Sequence, residues 1–246
     1  MPTLTVHPDV RARFPELRVE LVVATGLDNT GHWPEAESAL AAAEADAGTG
    51  AITWSEEDPA IASWHAAYRA FGTNPRRIRP SVDALLRRLV RQGRLPRVNS
   101  AVDAYNATSV RFAVPAGAFD LDRLDAHVEI RPATADDRFT PLGEPDEREV
   151  PGAGEVLYAQ GTEVLTRHWN HRDAHRTRVR EDTVSAVFML ERVSADVPAE
   201  RPAEAAAHLA ALLAPHAASV TRATLTAAAP EVRLGATAAI TRNAVR

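Results

Sequence analysis

The sequence predicts an α+β fold in which helices wrap a mixed, β-rich core. Helical segments with recognisable ends dominate before Val110, whereas short apolar or alternating segments separated by Gly, Pro and Asp dominate after it. No fixed-period repeat and no low-complexity linker divides the 246 residues, and this length can bury a full core. We therefore expect one domain over residues 1–246.

The N-terminal part is predicted to run strand, helix, strand and helix. The alternating LTVHP favours a short strand, and PDVRARFPEL favours a short helix or turn. RVELVVATGL is typical of a buried strand, which Gly26 should end. A helix is then expected from Pro34 to Ala47, with proline in its first turn and Gly48 as its stop.

Two further helices follow, of which the first is SEEDPAIASWHAAYRAFG. Ser55 and Asp58 have the spacing of a capping box, and Gly72 marks the helix end. Trp64 and Tyr68 recur at helical intervals and are expected in the core. NPRRIRP is then expected to be an extended linker, because residues before proline avoid the helical region.

SVDALLRRLVRQG predicts the second of these helices, with Ser81 as its cap and Gly93 as its stop. The residues expected to face inward are Leu85, Leu86, Leu89 and Val90. The residues expected to project outward are Arg87, Arg88 and Arg91.

After Val110 the chain is predicted to be rich in strands. Val110 to Val114 has the pattern of an apolar strand that ends in a Pro-Ala-Gly turn. Further strands are expected at HVEIRPA, EVLYAQ, EVLTRHW and TVSAVFMLERV. A helix from Pro202 to Ala214 and a last strand at SVTRATLTAAAP complete the pattern.

Composition excludes several classes of protein. The chain has no cysteine, which excludes a disulfide framework, a Cys-ligated zinc and a cysteine nucleophile. Its start lacks the apolar run of a signal peptide, and no uncharged apolar stretch is long enough for a membrane span. These features predict a cytoplasmic protein with no membrane partner. The net charge of −5 does not favour nucleic acid globally, and no DNA partner is expected.

The chain contains no lysine, and many of its arginines gather in two basic clusters. The first cluster comprises Arg76, Arg77, Arg79, Arg87, Arg88, Arg91, Arg94 and Arg97. The second comprises Arg167, His168, His171, Arg172, His175, Arg176, Arg178 and Arg180. Guanidinium groups suit bidentate contact with phosphate. The alternative is that arginine replaced lysine throughout and that both clusters are solvated faces.

Standard motifs for cofactors and nucleophiles are absent from the sequence. There is no Gly-x-Ser-x-Gly elbow and no phosphate loop, and the GTG at Gly48 lacks the third glycine of a dinucleotide fingerprint. His168, His171 and His175, with Asp173 nearby, have a spacing that could ligate a metal, but the adjacent arginines would repel a cation. We therefore expect no cofactor and no metal. The alternative is a polar turn whose histidines bond the backbone.

A polar stretch precedes the predicted strand at Val110. Asn99, Asp103 and Asn106 fall within LPRVNSAVDAYNATSVRFAVPAGAFDLDRL. Polar groups removed from water are costly unless each finds a partner. These side chains should therefore either cap local backbone or line a site.

Several motifs occur in order: FGTNPRRIRPSVDALLRRL, the polar stretch above, VEIRPA, FTPLG, PGAGEVLYAQ and TRHWNHRD. Together they resemble free-standing B3/B4 domain proteins, which are relatives of the third and fourth domains of the bacterial phenylalanyl-tRNA synthetase beta subunit. The most specific part is an Asn-x-x-Val-Asp-x-x-Asn pattern at Asn99, Val102, Asp103 and Asn106. The resemblance is closest over residues 60–190.

The resemblance implies an α+β module whose cleft holds an aminoacyl group at a tRNA 3′ end. It further implies a trans-editing deacylase that hydrolyses mischarged aminoacyl-tRNA, so the expected partner is the aminoacylated 3′ end of tRNA. Tyr105 and Asn106 would border the cleft, while Asn99 and Asp103 would fix the loop beneath it. One alternative is a non-catalytic module that binds tRNA or a free amino acid. Another is a small-molecule enzyme that kept only the fold.

The sequence departs from the synthetase pattern at the expected site. Gly117 stands where the synthetase has a histidine, RHWNHRD replaces a glycine-rich pocket wall, and the acidic residue that reads the substrate has no match. Ester hydrolysis needs an oriented water, donors for the developing oxyanion and recognition of the ammonium group. We expect His168 or His171 to orient the water and Asp173 to bind the amine. Further wall residues expected to contact substrate are Trp169 and Asn170. The side chains expected to contact RNA are Arg76, Arg77, Arg79, Arg87, Arg88, Arg91 and Arg172.

Overall fold

The structure is a computed structural model that describes residues 2–125 and 127–235. Its α-helices are α1 (Pro8–Arg13), α2 (Pro34–Thr49), α3 (Pro59–Ala70), α4 (Ser81–Gln92), α5 (Ser100–Phe112) and α6 (Glu200–Leu213). Its strands are β1 (Thr3–Val6), β2 (Arg18–Leu27), β3 (Ala116–Asp120), β4 (His127–Pro132), β5 (Arg138–Phe139), β6 (Val156–Gln160), β7 (Glu163–Arg167), β8 (Arg172–Asp173), β9 (Ser185–Arg192), β10 (Ala217–Thr226) and β11 (Glu231–Arg233). The predicted α+β class is confirmed.

The strands form two sheets. The larger sheet has the strand order β11-β1-β4-β6-β7-β5, with β8 paired to β7 outside this path. It is mixed, because β1 pairs with β4 and β5 with β7 in parallel, whereas its other pairs are antiparallel. The smaller sheet has the order β10-β2-β9-β3 and is antiparallel throughout. The predicted mixed, β-rich core is therefore confirmed.

The central strands of the smaller sheet are buried on both faces. Leu21 of β2 and Val187 of β9 belong to a core cluster that joins both sheets to α1, α3 and α4. Their neighbours Val22 and Phe188 belong to a second cluster, which packs against α5 and α6. Successive side chains of a strand point to opposite faces, so a strand covered on both sides reads as a continuous apolar run.

Two helix ends differ from the prediction. α2 ends at Thr49 with Gly50 as its C-cap, whose φ of 79° lies in the left-handed region, so the predicted stop at Gly48 is wrong. α3 has Asp58 as its N-cap, with the carboxylate accepting a backbone N–H from two residues later at 2.8 Å. Ser55, the predicted cap, instead accepts a backbone N–H in the preceding turn.

α4 starts one residue earlier in its register than predicted. Pro80 occupies the cap position and Ser81 is the first helical residue, so the predicted cap is wrong. Val90 is 45% exposed, so its predicted inward position is also wrong. The buried face of α4 includes Val82, and Val90 lies outside that face. The leucines predicted to face inward are buried or half-buried: Leu85, Leu86 and Leu89.

α5 continues through the segment predicted to be a strand. Val110 lies in its last turn and is 2% exposed, and Ala113 ends the helix with a left-handed φ of 51°. The hydroxyl of Ser109 donates to the carbonyl of Val114 at 2.7 Å, which satisfies a group just beyond the helix end. The strand prediction is therefore wrong here, because packing of the helical face overrides the β-propensity of valine. The next strand starts at Ala116.

The remaining predicted elements are confirmed: α1, β1, β2, β4, β6, β7, β9, α6 and β10. The predicted end of β2 at Gly26 is wrong, because the strand runs to Leu27. The prediction of one domain over residues 1–246 stays a prediction, since residues 236–246 lie outside the described residues. None of the helices in the described part of the chain has both the length and the hydropathy needed to cross a bilayer.

Candidate functional site

A cavity of about 250 Å³, here called the inner cavity, opens between α4, α5, β9 and the hairpin of β7 and β8. Its lining consists of Ser81, Ala84, Leu85, Tyr105, Asn106, Ala116, Gly117, Tyr158, Thr166, Trp169, Asn170, His171, Asp173, Met189 and Glu191. It brings together six of the predicted site residues: Tyr105, Asn106, Trp169, Asn170, His171 and Asp173. It leaves out three others: Asn99, Asp103 and His168.

The polar residues at the start of α5 hold the backbone of the helix. Asn99 is the N-cap, and its side-chain oxygen accepts the N–H of Val102 at 3.1 Å. The carboxylate of Asp103 accepts the N–H of Val98 at 2.9 Å. Burial raises the pKa of Asp103. These two side chains therefore fix the helix start below the inner cavity.

Asn106 lies one turn further along α5 and faces the inner cavity. It is 8% exposed, and within residues 2–125 and 127–235 its side-chain amide has no hydrogen-bond partner. A buried amide without a partner is costly unless water or a ligand meets it. The hydroxyl of the neighbouring Tyr105 is likewise unpaired among these residues. Asn106 therefore offers two donors and an acceptor to whatever enters the cavity.

The loop that joins β7 to β8, residues 168–171, forms a second wall and is here called the hairpin loop. His168 and Trp169 have φ values of 47° and 70°, a conformation that costs about 1 kcal/mol or more per residue other than glycine. Trp169 is fully buried and packs edge-on against Phe14 at 5.0 Å and Trp64 at 5.3 Å between ring centroids. This aromatic burial offsets the backbone strain and fixes the loop.

The two histidines of the hairpin loop have different environments. His168 is 9% exposed, its Nδ1 lies 2.9 Å from the hydroxyl of Thr73, and burial lowers its pKa to about 4. His171 lines the inner cavity, and its Nδ1 donates to the carbonyl of Arg79 at 2.8 Å. Because Nδ1 carries the proton, the neutral ring presents Nε2 as an acceptor. His171 remains exposed to solvent on one side, but partial desolvation of its ring lowers its pKa, so the neutral form prevails at neutral pH.

Asp173 contributes the first of two carboxyl groups in the inner cavity. It lies on β8 and pairs across the hairpin with Thr166, whose hydroxyl donates to Oδ1 at 2.9 Å. Burial raises the pKa of Asp173 to about 6. No arginine of the described residues lies within ion-pair distance of it, so its second oxygen is available to a ligand.

Glu191 contributes the second carboxyl group, and it was not identified from the sequence. It is 4% exposed and accepts hydrogen bonds from Trp169 Nε1 and Asn170 Nδ2, each at 3.0 Å, and from the hydroxyl of Tyr158. Burial raises its pKa to about 7 despite these bonds. The only sequence signal was a carboxylate at the end of the apolar run AVFML, where a buried strand would place it inside the protein.

The two carboxyl groups set the charge of the inner cavity. Within the described residues no arginine lines it, so a ligand with ammonium, amide or hydroxyl donors is favoured and an anionic group is disfavoured. Over the same residues no three His, Asp or Glu side chains are grouped in a way that could hold a metal ion.

The sequence matches the model of the B3/4 domain family over residues 63–213, more than half of the chain. The chain belongs to the B3/4 domain family. One solved structure similar to this B3/4 domain protein is an N-terminal fragment of the phenylalanyl-tRNA synthetase beta subunit from Pyrococcus horikoshii. The two are 15% identical, with a TM-score of 0.42, over 87% of this chain and 48% of that one, so this chain spans about half the length of the fragment. Comparison with curated proteins gave no match.

The arginines of this B3/4 domain protein that were predicted to contact RNA fall into two groups. Four are engaged within the protein: Arg76 with Glu56, Arg79 with the carbonyl of Arg76, Arg87 with the ring of Trp54, and Arg172 with Glu144. Three have no side-chain partner among the described residues: Arg77, Arg88 and Arg91. Arg88 lies one helical turn after Ala84, which lines the inner cavity, so an unpaired cation flanks the site.

Segment 73–81 connects the first basic cluster to the hairpin loop. It contains a turn closed by the carbonyl of Asn74 rather than the predicted extended linker. The N–H of Ser81 donates to the carbonyl of Asn170 at 3.1 Å, in addition to the two bonds that reach the histidines. The position of the His171 ring therefore depends on the segment that carries the arginines.

Proposed function

We propose that this B3/4 domain protein hydrolyses the ester bond of mischarged aminoacyl-tRNA in trans. The observation that carries the proposal is the inner cavity, where an unpaired amide, an unprotonated imidazole nitrogen and two carboxyl groups meet. Membership of the B3/4 family, together with the resemblance of the motif at Asn99–Asn106 to the synthetase editing module, supplies the substrate class.

The proposed reaction asks little of the protein, because an aminoacyl ester is already activated. Nε2 of His171 accepts a proton from a water molecule while the water oxygen attacks the ester carbonyl carbon. An N–H of Asn106 donates to the oxyanion that develops on the carbonyl oxygen. When the bond from carbon to the ribose oxygen breaks, the proton moves from Nε2 to that oxygen. The products are a free amino acid and a tRNA with a free terminal hydroxyl.

The carboxyl groups account for substrate recognition in this proposal. Asp173 binds the α-ammonium group, and Glu191 accepts a hydrogen bond from the amino-acid side chain. A cavity of about 250 Å³ walled by Tyr158 and Trp169 favours an amino acid smaller or more polar than tyrosine. Acidic side chains are disfavoured by the like charge.

The unpaired arginines account for binding of the RNA. Arg77, Arg88 and Arg91 contact backbone phosphates, so binding releases counterions and weakens as salt is added. The arginines that already pair with carboxylates would have to give up those ion pairs to contact phosphate. They therefore contribute less to the affinity for RNA.

The test is release of labelled amino acid from a panel of differently mischarged tRNAs at catalytic protein concentrations. At least one amino acid should be released faster than in buffer, and a chelator should leave the rate unchanged. If tRNA binds while no amino acid is released faster than in buffer, the protein is a binding module.

Asn106→Ala should lower the hydrolysis rate by roughly tenfold or more, because the oxyanion loses a donor worth at least about 1.4 kcal/mol in the transition state. Its unfolding in urea should match that of the wild type, since the amide has no partner in the described part of the chain. Gln92→Ala, at an exposed position on α4, is the control for an amide removed away from the cavity. A full rate in Asn106→Ala would contradict its assigned role.

One observation favours the alternative, a non-catalytic module that binds tRNA or an amino acid. Gly117 lines the inner cavity where the synthetase pattern has a histidine, and the nearest side-chain atom that a Cβ there would meet is Met189 Cε at 3.9 Å. A module that had lost a catalytic side chain would have unfilled space of this kind beside the cavity. If the protein is a binding module, Gly117→His should leave tRNA binding intact and produce no hydrolysis. If the protein is a deacylase that relies on His171, the wild type already hydrolyses the ester without a histidine at position 117.

A further inference from the structure

The carboxyl group of Glu191 is surrounded by hydrogen-bond donors. Its Oε1 accepts from the hydroxyl of Tyr158 and from Trp169 Nε1, and its Oε2 accepts from Asn170 Nδ2. The amide of Asn170 is fixed in this orientation, because its oxygen accepts a hydrogen bond from the hydroxyl of Tyr68 at 2.8 Å. The indole N–H is a donor only, so neither it nor the amide N–H can accept a proton from a neutral carboxyl group. The arrangement therefore fits the ionised form of Glu191.

Glu191 differs from other buried carboxylates of this protein in its lack of a countercharge. Asp137 pairs with Arg131 and Glu155 pairs with Arg167, each at 2.6 Å. Glu191 is 4% exposed, and within residues 2–125 and 127–235 no arginine lines the cavity that it faces. An ionised carboxylate taken out of water is costly unless a charge of opposite sign meets it. A ligand in the inner cavity can supply that charge.

Asp173 gives the inner cavity a second carboxyl group without a cationic partner in the described part of the chain. Its Oδ1 accepts from the hydroxyl of Thr166 at 2.9 Å, and its charge adds to the burial that raises the pKa of Glu191. A ligand with a single ammonium group would neutralise one carboxylate and leave the other uncompensated. The amide of Asn106, 8% exposed and on the wall of the same cavity, is an independent polar contact for a ligand.

We propose that the inner cavity selects an amino acid whose side chain ends in an ammonium group, which Glu191 binds while Asp173 binds the α-ammonium group. A carboxylate accepts about four hydrogen bonds, so the three donors leave one position open. An ammonium group can use this single position, whereas a guanidinium group favours both oxygens side by side. A hydroxyl group would fill the position but leave the charge of Glu191 uncompensated. The inference rests on the proposed function for the ester, and it narrows the aminoacyl group to lysine and its shorter homologues.

The test is calorimetric titration of the full chain with three amino alcohols that share the α-ammonium group and contain no ester. L-Lysinol ends in a second ammonium group, hydroxynorleucinol ends in a hydroxyl group, and norleucinol ends in a methyl group. The titrations are run at about pH 8, above the pKa of Glu191 of about 7, so that its carboxyl group is ionised. L-Lysinol should bind roughly tenfold or more tightly than either of the others, as expected for one charge-assisted hydrogen bond.

Three variants assign the preference to a residue. Glu191→Gln keeps an acceptor for the surrounding donors but has no charge, so it should bind L-lysinol and hydroxynorleucinol with equal affinity. Asp173→Asn should weaken all three ligands by a similar factor, because each carries the α-ammonium group. Glu147→Gln removes an exposed carboxylate outside the inner cavity and should leave every affinity unchanged.

Equal affinity of the wild type for L-lysinol and hydroxynorleucinol overturns the inference, as does a Glu191→Gln variant that still prefers L-lysinol. Hydrolysis of tRNA mischarged with lysine or with uncharged amino acids, measured in parallel, separates the inference from the proposed function. A preference for L-lysinol that depends on Glu191, without hydrolysis of any mischarged tRNA, keeps the cation site and refutes the deacylase. Hydrolysis that is faster for an uncharged amino acid than for lysine, with no preference for L-lysinol, keeps the deacylase and refutes the cation site.

Discussion

Glu191→Gln should remove a pH dependence from the stability of the protein. Glu191 is 4% exposed, and burial raises its pKa from 4.5 to about 7. Between these two pH values the folded protein keeps a proton on Glu191 that the unfolded chain has released. The contribution of this group is therefore fully present below pH 4.5 and is lost as the pH rises through about 7.

The magnitude follows from the width of that pH window. One pKa unit corresponds to about 1.4 kcal/mol, so a rise from 4.5 to about 7 corresponds to about 3 kcal/mol. Glutamine keeps an acceptor oxygen for Tyr158 and Trp169 but does not titrate. Asp173 titrates in both proteins and its charge helps to raise the pKa of Glu191, so the difference between wild type and variant reports Glu191 together with its interaction with Asp173.

The assay is unfolding in urea, followed by tryptophan fluorescence, for both proteins from about pH 4.5 to about pH 8. The stability of the wild type relative to Glu191→Gln should fall by about 3 kcal/mol across the window and stay level above it. A difference that does not change with pH would show that this carboxyl group is hydrated in the folded protein, and its raised pKa would be refuted.

Three further perturbations test the core and the RNA surface. Leu86→Ala should lower the free energy of unfolding in urea by about 2–5 kcal/mol, because Leu86 is 3% exposed, whereas Val90→Ala on the same helix should change it by less than about 0.5 kcal/mol. Trp169→Ala should cost about 3–5 kcal/mol in the same measurement, since three aromatic rings pack against it. Arg88→Ala and Arg91→Ala should each reduce by about one the slope of log affinity for tRNA against log salt, and an unchanged slope would place the RNA elsewhere.

The elements that could be predicted from the sequence are those determined by local patterns. The leucine stripe of α4 and its stop at Gly93 lie within a few residues of one another, and so do the features that define α3. The apolar runs of β2 and β9 likewise predict strands that are buried on both faces, and no knowledge of distant residues is needed for that prediction.

The elements that could not be predicted depend on contacts between distant parts of the chain. Val110 favours a strand by itself, but the cores on either side of α5 keep it helical. Glu191 belongs to the site because Trp169 and Asn170 donate hydrogen bonds to its carboxylate, and both lie in the hairpin loop, 20 residues or more earlier in the chain. The engagement of Arg172 was hidden for the same reason, since Glu144 lies in a separate loop.

The order of the strands determines what a single cut in the chain would do. Residues 142–148 form an exposed loop between β5 and β6, the kind of segment that proteases nick. β4 pairs with β6 across that loop, and β2 pairs with β9 and β10, so both sheets are composites of the two fragments. The inner cavity is a composite as well, with Asn106 from the first fragment and His171 from the second. A nicked chain should therefore remain one particle, and two separately expressed halves should regain the cavity only by complementation.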